Sequence, residues 1–438
     1  MSLKKFLLSK EQDERLINIK NIGLALVCFY IFTSFVAVDL GISSKINSIA
    51  LLFMLLWTIL YVVRAWVNKE MPISGYTGWY LVFMAVAFIM MINSPSHDIF
   101  SGEFYYMMVS LCVTFSMLVF VNDKISFKLV AYTFIISGAI LVFMVYAKGM
   151  LSGNADDRLG DEIMGNANSF AWMMMLSAMF GIWILVYETG KKSFQMPIFQ
   201  KLRWLIKVCL AVAVLLCLYA LILSGGRKYF LIPFVFCYIL LVFRKDKKGK
   251  THFWLYTAIS VGVIAIVYLL IMHVKPLYDA IGVRIEGFIQ GLLGIGEYDD
   301  SSYLRKVMRE YAFSMWTKSP LFGYGLDSFK YYNVALTDRF FYSHCNYTEL
   351  LFSGGIVLFA VYYFIFYRIG KNAIKAKNVV DNKYRSFAIG TLVCILLFDY
   401  FGVSSSAMIM QLIIALSYRV LSFKDNKPNE IVQGGKNE

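Results

Sequence analysis

Stretches of about 20 predominantly apolar residues recur along the whole chain, and each is long enough to cross the hydrocarbon core of a bilayer. In lipid every backbone N–H and C=O must be satisfied inside the segment, which makes runs of this length helices. Candidate spans cover 21–40, 46–67, 76–93, 104–121, 127–147, 167–187, 204–223, 228–243, 253–272, 346–367, 387–402 and 404–419. Only 16% of the 438 residues are charged, where a soluble domain carries about 25%, so little polar surface remains for a water-exposed globule. The expected fold is an all-α polytopic membrane protein with about 12 transmembrane helices and one large extracytoplasmic loop containing amphipathic helices.

The net charge of +14 would fit a nucleic-acid partner if the basic residues formed a patch, but they alternate with the spans. With the N-terminus placed in the cytoplasm, the inner segments take 29 of the 42 Lys and Arg, as the positive-inside rule requires. Arg244-Lys245-Asp246-Lys247-Lys248 is one such inner segment, whereas 94–103 on the outer side has no Lys or Arg. Topology therefore accounts for the basicity. It predicts a multi-pass protein of the cytoplasmic membrane with both termini inside, in contact with membrane lipids and with no nucleic acid.

Residues 1–20 are polar and carry no short apolar core with a small-residue cleavage site, so the first span reads as an uncleaved anchor. Six cysteines (Cys28, Cys112, Cys209, Cys217, Cys237, Cys394) fall inside spans as small apolar packing residues, and Cys345 lies near the outer face. No disulfide framework or Cys/His metal spacing is present. The chain divides into a transmembrane scaffold at 1–203, a core with its outer loop at 204–367, and closing helices with a tail at 368–438.

The segment 273–345 is too long for a structureless loop. Apolar residues at 277, 280, 281, 285, 288, 289 and 292 follow a helical spacing. Leu304, Val307, Met308, Tyr311, Ala312, Met315 and Trp316 form a second stripe, which Asp300 or Ser301 can cap and Pro320 ends. This predicts an amphipathic helix lying on the membrane or on the bundle, with Arg305 and Arg309 on one face.

Chemistry outside the membrane must use an activated group delivered through it, such as a lipid pyrophosphate. A leaving group of that charge needs a metal or fixed cations. The outer side has no evident carboxylate cage but offers Arg158, Arg227, Arg284, Arg305, Arg309 and Arg339, whose guanidinium groups bind phosphate oxygens bidentately. Each has a plainer reading: Arg227 snorkelling to headgroups, Arg305 and Arg309 as a solvated helix face, Arg158 as a surface partner of Asp156 and Asp157. His344 sits where the large loop meets the next span, and an imidazole of pKa near 6.5 can accept a proton from a sugar hydroxyl. Glu349 reads as a carboxylate favoured by a helix N-terminus. Phe322-Gly323-Tyr324-Gly325 superficially matches a potassium filter, but the preceding helix is charged and the span behind it ends about 50 residues earlier. A glycine-rich turn after Ser319-Pro320 is the better reading.

Four pieces taken in order resemble the O-antigen ligase and polysaccharide-polymerase superfamily of bacterial membrane enzymes, over roughly 205–365. They are the small-residue turn Ser224-Gly225-Gly226-Arg227, the charged helix Arg305 to Trp316, then Pro320-Leu321-Phe322-Gly323-Tyr324-Gly325, and the run from His344 through Tyr347 with Glu349, Leu350, Leu351 and Gly355. Upstream, Gly165-Asn166-Ala167-Asn168 is similar to the family's Asn-containing helix start. Cys345 stands where the family often has Asn, and Lys228 where a small residue is common.

The resemblance implies metal-independent, cofactor-free inverting transfer of a glycan from undecaprenyl pyrophosphate. His344 would be the base or hydroxyl orienter. Arg227, Arg305 and Arg309 would clamp the pyrophosphate, with Arg158 and Arg284 as further candidates. Polymerisation of lipid-linked repeat units into capsule, exopolysaccharide or O-antigen is the leading expectation, with other polysaccharide-assembly proteins as partners. Ligase-type transfer to another acceptor is the alternative within the class. A lipid-linked glycan flippase is the alternative outside it, although a transporter should show paired repeats and broken helices at the midplane.

Overall fold

The computed structural model describes residues 19–36, 43–70, 73–97, 99, 102–148, 159–160, 167–190, 197–244, 251–293 and 300–423, with the backbone alone at Arg227 and Arg284. Arg158, the run 161–166 and both charged termini lie outside the described residues. Fifteen helices are used below. The first nine are α1 (Ile19–Val36), α2 (Ser43–Val67), α3 (Gly75–Met90), α4 (Glu103–Phe120), α5 (Lys124–Ala147), α6 (Ala167–Tyr187), α7 (Pro197–Leu223), α8 (Arg227–Phe243) and α9 (Phe253–His273). The remaining six are α10 (Val283–Leu293), α11 (Asp300–Trp316), α12 (Phe329–Thr337), α13 (Asn346–Lys375), α14 (Asn382–Asp399) and α15 (Met408–Val420).

Every expected span has a helix in its place, and among the described residues nine are long and apolar enough to cross a membrane. The exceptions are informative. Helices α8 and α15 have 17 and 13 residues, hence rises of about 25 and 20 Å against a hydrocarbon core of about 30 Å, while α14 is as long as α1 but carries Lys383, Arg385 and Asp399. All seven cysteines are free thiols.

One apolar core joins the helices, centred on Phe127, Phe134, Phe180, Trp183 and Phe387, all at most 1% exposed. Phe134 and Phe180 stack at 4.6 Å, and Phe127 meets Trp183 edge-on at 5.1 Å. A Cβ on Gly181 would sit 2.3 Å from Val214, so the missing side chain lets α6 and α7 approach closely. Helix α9 stays at the rim with only Ile271 buried.

The hydrogen bonds and ion pairs that tie helix ends together sort into two sets. At one end Lys20 pairs with Asp123 at 3.0 Å, Glu188 with Lys128 at 2.7 Å and Lys383 at 2.8 Å, and Trp183 Nε1 donates to Lys383 O. At the other, Lys228 Nζ donates to Phe401 O, Leu159 N to Leu223 O, and Glu103 N to Asp327 Oδ2. Each set joins segments that the expected topology places on one side, and the second set shares its end with segment 274–345, here called the loop end.

Within that segment a turn at Lys275–Leu277 runs through a π-helical stretch, Tyr278–Gly282, into α10. This is the first expected amphipathic stretch, interrupted at its start. The second is α11, which lies on the bundle: Met308 and Ala312 are buried against Phe329 and Phe352, flanked by Leu304, Tyr311 and Met315. The side chains of Asp300 and Ser301, the expected caps, lie outside the described residues. Helix α12 has no counterpart in the sequence reading, because its apolar face covers α11 and not lipid.

The largest correction concerns the span expected at 346–367. Helix α13 is broken at Gly354 and Gly355, and its short limb, 346–353, folds back along the long limb, 356–375. Asn346 Nδ2 donates to Tyr363 Oη at 3.0 Å, and the Tyr347 and Tyr363 rings stack at 5.3 Å. In a straight helix those residues would stand about 25 Å apart. The strap Pro320–Gly325 heals the break: Tyr324 N donates to Phe352 O, Gly325 N to Ser353 O, and Ile356 N to Pro320 O, at 2.8 to 2.9 Å. Only glycines fit there. A Cβ on Gly323 (φ +64°) would lie 2.3 Å from Phe352 O, and one on Gly355 (φ +59°) 2.3 Å from the Leu321 carbonyl.

Candidate active site

Because the short limb turns back, its starting residue Asn346 lies beside Tyr363, about 12 Å along the long limb from the break. Helices α14 and α15 are joined at the loop end by residues 400–407. This turn meets the start of the short limb: Asn346 N donates to Gly402 O at 2.9 Å, and Ser404 N and Ser405 N donate to Asn346 Oδ1. The peptide 338–345 leads from exposed residues to buried Ser343 and Cys345 beside this turn, and α11 meets the turn through Arg309 and Tyr400.

His344 follows with φ +57°, a left-handed conformation that turns the chain into the short limb. The residues around it hold this turn. Ser343 N donates to Glu349 Oε2 at 2.7 Å, Ser343 Oγ to Cys345 O at 3.0 Å, and Thr348 Oγ1 to Ser343 Oγ at 3.2 Å. Glu349 therefore fastens the histidine turn, a use more specific than the helix-end carboxylate expected of it. The imidazole lies 4.4 Å from the Tyr342 ring, and its Nδ1 is buried with no hydrogen-bond partner among the described residues.

Three cations surround the imidazole. Arg305 and Arg309, one turn apart on α11, and Lys228, the second residue of α8, all act on it electrostatically. Arg309 is held over the Tyr400 ring, with Cζ 5.0 Å from its centroid. Lys228 Nζ donates to Phe401 O at 2.9 Å and lies 4.9 Å from the Tyr229 ring centroid. Burial, then these three positive charges, push the His344 pKa down from 6.5 to about 3. The sequence reading gave the imidazole its ordinary value; the structure makes it a neutral group at physiological pH. On the other side of Tyr342, the carboxylates of Glu103, Asp327 and Glu349 act on one another, with Lys330 bonded to Asp327 at 2.6 Å.

The structure thus brings together His344, Arg305 and Arg309 from three predicted positions. Arg227 opens α8 directly before Lys228, and only its backbone is described. Arg284, of which only the backbone is described, lies on α10, which packs on the Tyr278–Gly282 stretch. Arg158 lies outside the described residues. Sequence reasoning passed over Lys228, Glu103 and Asp399. A signal existed for Asp399: a lone carboxylate at the end of an apolar run points to function by default. For Lys228 the one signal was its departure from the small residue common at that position in the resembled family. Among the described residues no three His, Cys, Asp or Glu side chains gather as metal ligands.

Residues 212–363 match the family model described as O-antigen ligase, about a third of the chain. The matched stretch begins in α7 and ends eight residues into the long limb of α13, so it contains Arg227, Lys228, Arg305, Arg309, the glycine strap and His344. The family resemblance read from the motifs therefore holds over this stretch. No curated protein matches the chain.

Proposed function

We propose that this protein is a glycosyltransferase that takes a glycan from undecaprenyl pyrophosphate and joins it to a hydroxyl of another glycan. In this reading it polymerises lipid-linked repeat units into a surface polysaccharide. The loop end faces the exterior of the bacterial cytoplasmic membrane, and both termini face the cytoplasm. The observation that carries the reading is that Arg305, Arg309 and Lys228 act together on a neutral imidazole beside the 400–407 turn at the loop end. A donor anchored in the adjacent leaflet would present its pyrophosphate to these groups. The family match, which supports glycan transfer of the ligase or polymerase type, points the same way.

The proposed step follows from the groups present. His344 accepts the proton of the acceptor hydroxyl as its oxygen attacks the anomeric carbon from the face opposite the pyrophosphate. The bond from that carbon to the phosphate oxygen breaks, its electron pair leaves on the pyrophosphate, and the configuration inverts. Arg305 and Arg309 offer bidentate hydrogen bonds and Lys228 a point charge to the developing negative charge, with Arg227 beside it in the chain. Pyrophosphate leaves readily, so no strong acid is required. The same cations that depress the imidazole's basicity are neutralised when pyrophosphate binds. Donor binding therefore raises the basicity of His344 at the moment a base is needed.

Ligase-type transfer would use the same step on a different acceptor hydroxyl. The deciding experiment supplies a purified lipid-linked repeat unit to the full chain in proteoliposomes and follows product length on gels. Wild type is expected to yield a ladder in the presence of EDTA, while His344→Ala and Arg305→Ala insert normally and leave single units. Extension by both variants at the wild-type rate would remove the site assignment. Movement of the lipid-linked unit across the bilayer without any new glycosidic bond would establish a flippase instead.

A further inference from the structure

Beside the 400–407 turn lies a polar cluster that the proposed step leaves unused. Asp399, the last residue of α14, is 0% exposed, so it touches no substrate. Its described hydrogen-bond partners are three neutral donors: Tyr363 Oη at 2.7 Å and Asn346 Nδ2 at 3.3 Å on Oδ2, and Ser404 Oγ on Oδ1. The network continues from Ser404 to Tyr362 Oη at 2.8 Å, and from there through Gln411 Nε2 to the carbonyls of Ser404 and Ser405. Tyr76 Oη closes it on Gln411 Oε1 at 2.9 Å. Burying so many polar groups among membrane helices gains little over apolar packing, so stability alone does not explain them. The bonds to Asn346, two residues from His344, and to Ser404 and Ser405 in the turn 400–407 fix those positions directly, and those of Tyr363, Tyr362 and Tyr76 brace the groups that make them.

That turn holds two of the three cations: Phe401 O accepts from Lys228 Nζ, and the Tyr400 ring lies against Arg309. We infer that Asp399, with Tyr363 and Asn346, is a positioning residue that sets the 400–407 turn, and through it Lys228 and Arg309, at the spacing a lipid pyrophosphate requires. The inference rests on the function proposed above for its ligand, but not for its geometry. Asp399 is the hub because its two oxygens tie α13 and α14 to Ser404, within the turn itself. Losing one tie lets the Phe401 carbonyl shift, and a shift of about 1 Å is enough to spoil a clamp.

The test uses Asp399→Asn, and Tyr363→Phe as a gentler change that deletes a single donor and keeps the ring. In the full chain in nanodiscs, reaction of Lys228 with an amine reagent is followed by peptide mass spectrometry, with exposed Lys318 as internal reference. Both variants are expected to raise the Lys228 rate about threefold or more relative to Lys318, since the local bond protecting it is loosened. Equilibrium binding of undecaprenyl pyrophosphate is measured on the same preparations. Asp399→Asn is expected to weaken it about tenfold, and to add only about twofold in a Lys228→Met background, because coupled residues are non-additive. An unchanged Lys228 rate in folded Tyr363→Phe, or fully additive losses in the double variant, would overturn the inference. Wild type that fails to bind undecaprenyl pyrophosphate, while the Lys228 rates change as expected, would sink the donor assignment and leave the positioning role standing.

Discussion

The two ends of the bundle treat charge in opposite ways. Away from the loop, Glu188 is 3% exposed and gripped by Lys128 and Lys383, and Lys20 pairs with Asp123, so charge closes on charge. At the loop end, beside the Lys330–Asp327 pair, Arg305, Arg309 and Lys228 act on an imidazole that burial and their field keep neutral, and the buried Asp399 is held by neutral donors. The first arrangement locks helices in register and has nothing left to offer a ligand. The second rests Arg309 on a ring and Lys228 on a carbonyl, which orient them. A cation kept over Tyr400 or on Phe401 O can still meet a phosphate oxygen.

The sharpest way to break this contrast is to remove the base. His344→Ala is expected to lower kcat by about 10²- to 10⁴-fold with the melting temperature little changed, measured on the lipid-linked repeat unit. A loss below tenfold would return His344 to a structural role. Next come the cations. Arg305→Ala and Arg309→Ala should each cost on the order of 10- to 100-fold in kcat/KM, and Arg309→Lys should recover little, since a lysine offers no fork for two oxygens. Full recovery by lysine would show that point charge is all the site asks of that position.

Smaller effects sharpen the other side of the comparison. Gly355→Ala places a Cβ 2.3 Å from the Leu321 carbonyl at φ +59°, and should destabilise by about 1–3 kcal/mol while loosening the short limb. Thermal unfolding and activity should therefore fall together. Glu188→Gln should lower stability by about 1–3 kcal/mol and leave kcat per folded molecule as it is. A change in kcat there would mean that the two ends are coupled.

The pH dependence gives the finest test. His344 has a folded pKa of about 3, below its unfolded value near 6.5, so the unfolded chain binds more protons between them. Its contribution to stability is complete above about pH 6.5 and is lost as pH falls toward 3. For kcat/KM, which reports the free enzyme, the acid limb belonging to His344 should lie well below pH 6.5. For kcat it should move upward, because bound pyrophosphate offsets the cations. Coincident limbs would show that donor binding does not change the field at His344.

How far the chain could be read in advance depends on which partner each residue faces. The helices facing lipid announced themselves by length and hydropathy, since the bilayer is a uniform partner, and α11 did so by its stripe. Helix α12 did not, because its one buried aromatic, Phe329, packs into the small cluster under α11, and the fold-back at Gly354–Gly355 did not, because its two apolar limbs read in sequence as a single straight span. Asn346 and Asp399 are 53 residues apart in the chain yet share a hydrogen bond, and no local pattern carries that pairing.

The amino-acid order alone pointed to a bundle of membrane helices and to a large structured loop, and it placed Arg305, Arg309 and His344 in that one segment. Those properties come from runs, periods and charge placement, all local in the chain. Tertiary structure alone decided that the glycine strap mends a broken helix, that Lys228 joins the arginines, and that the histidine is neutral. Each of these is a distance between segments remote in sequence, and a field falls off with distance in space, not with separation along the chain.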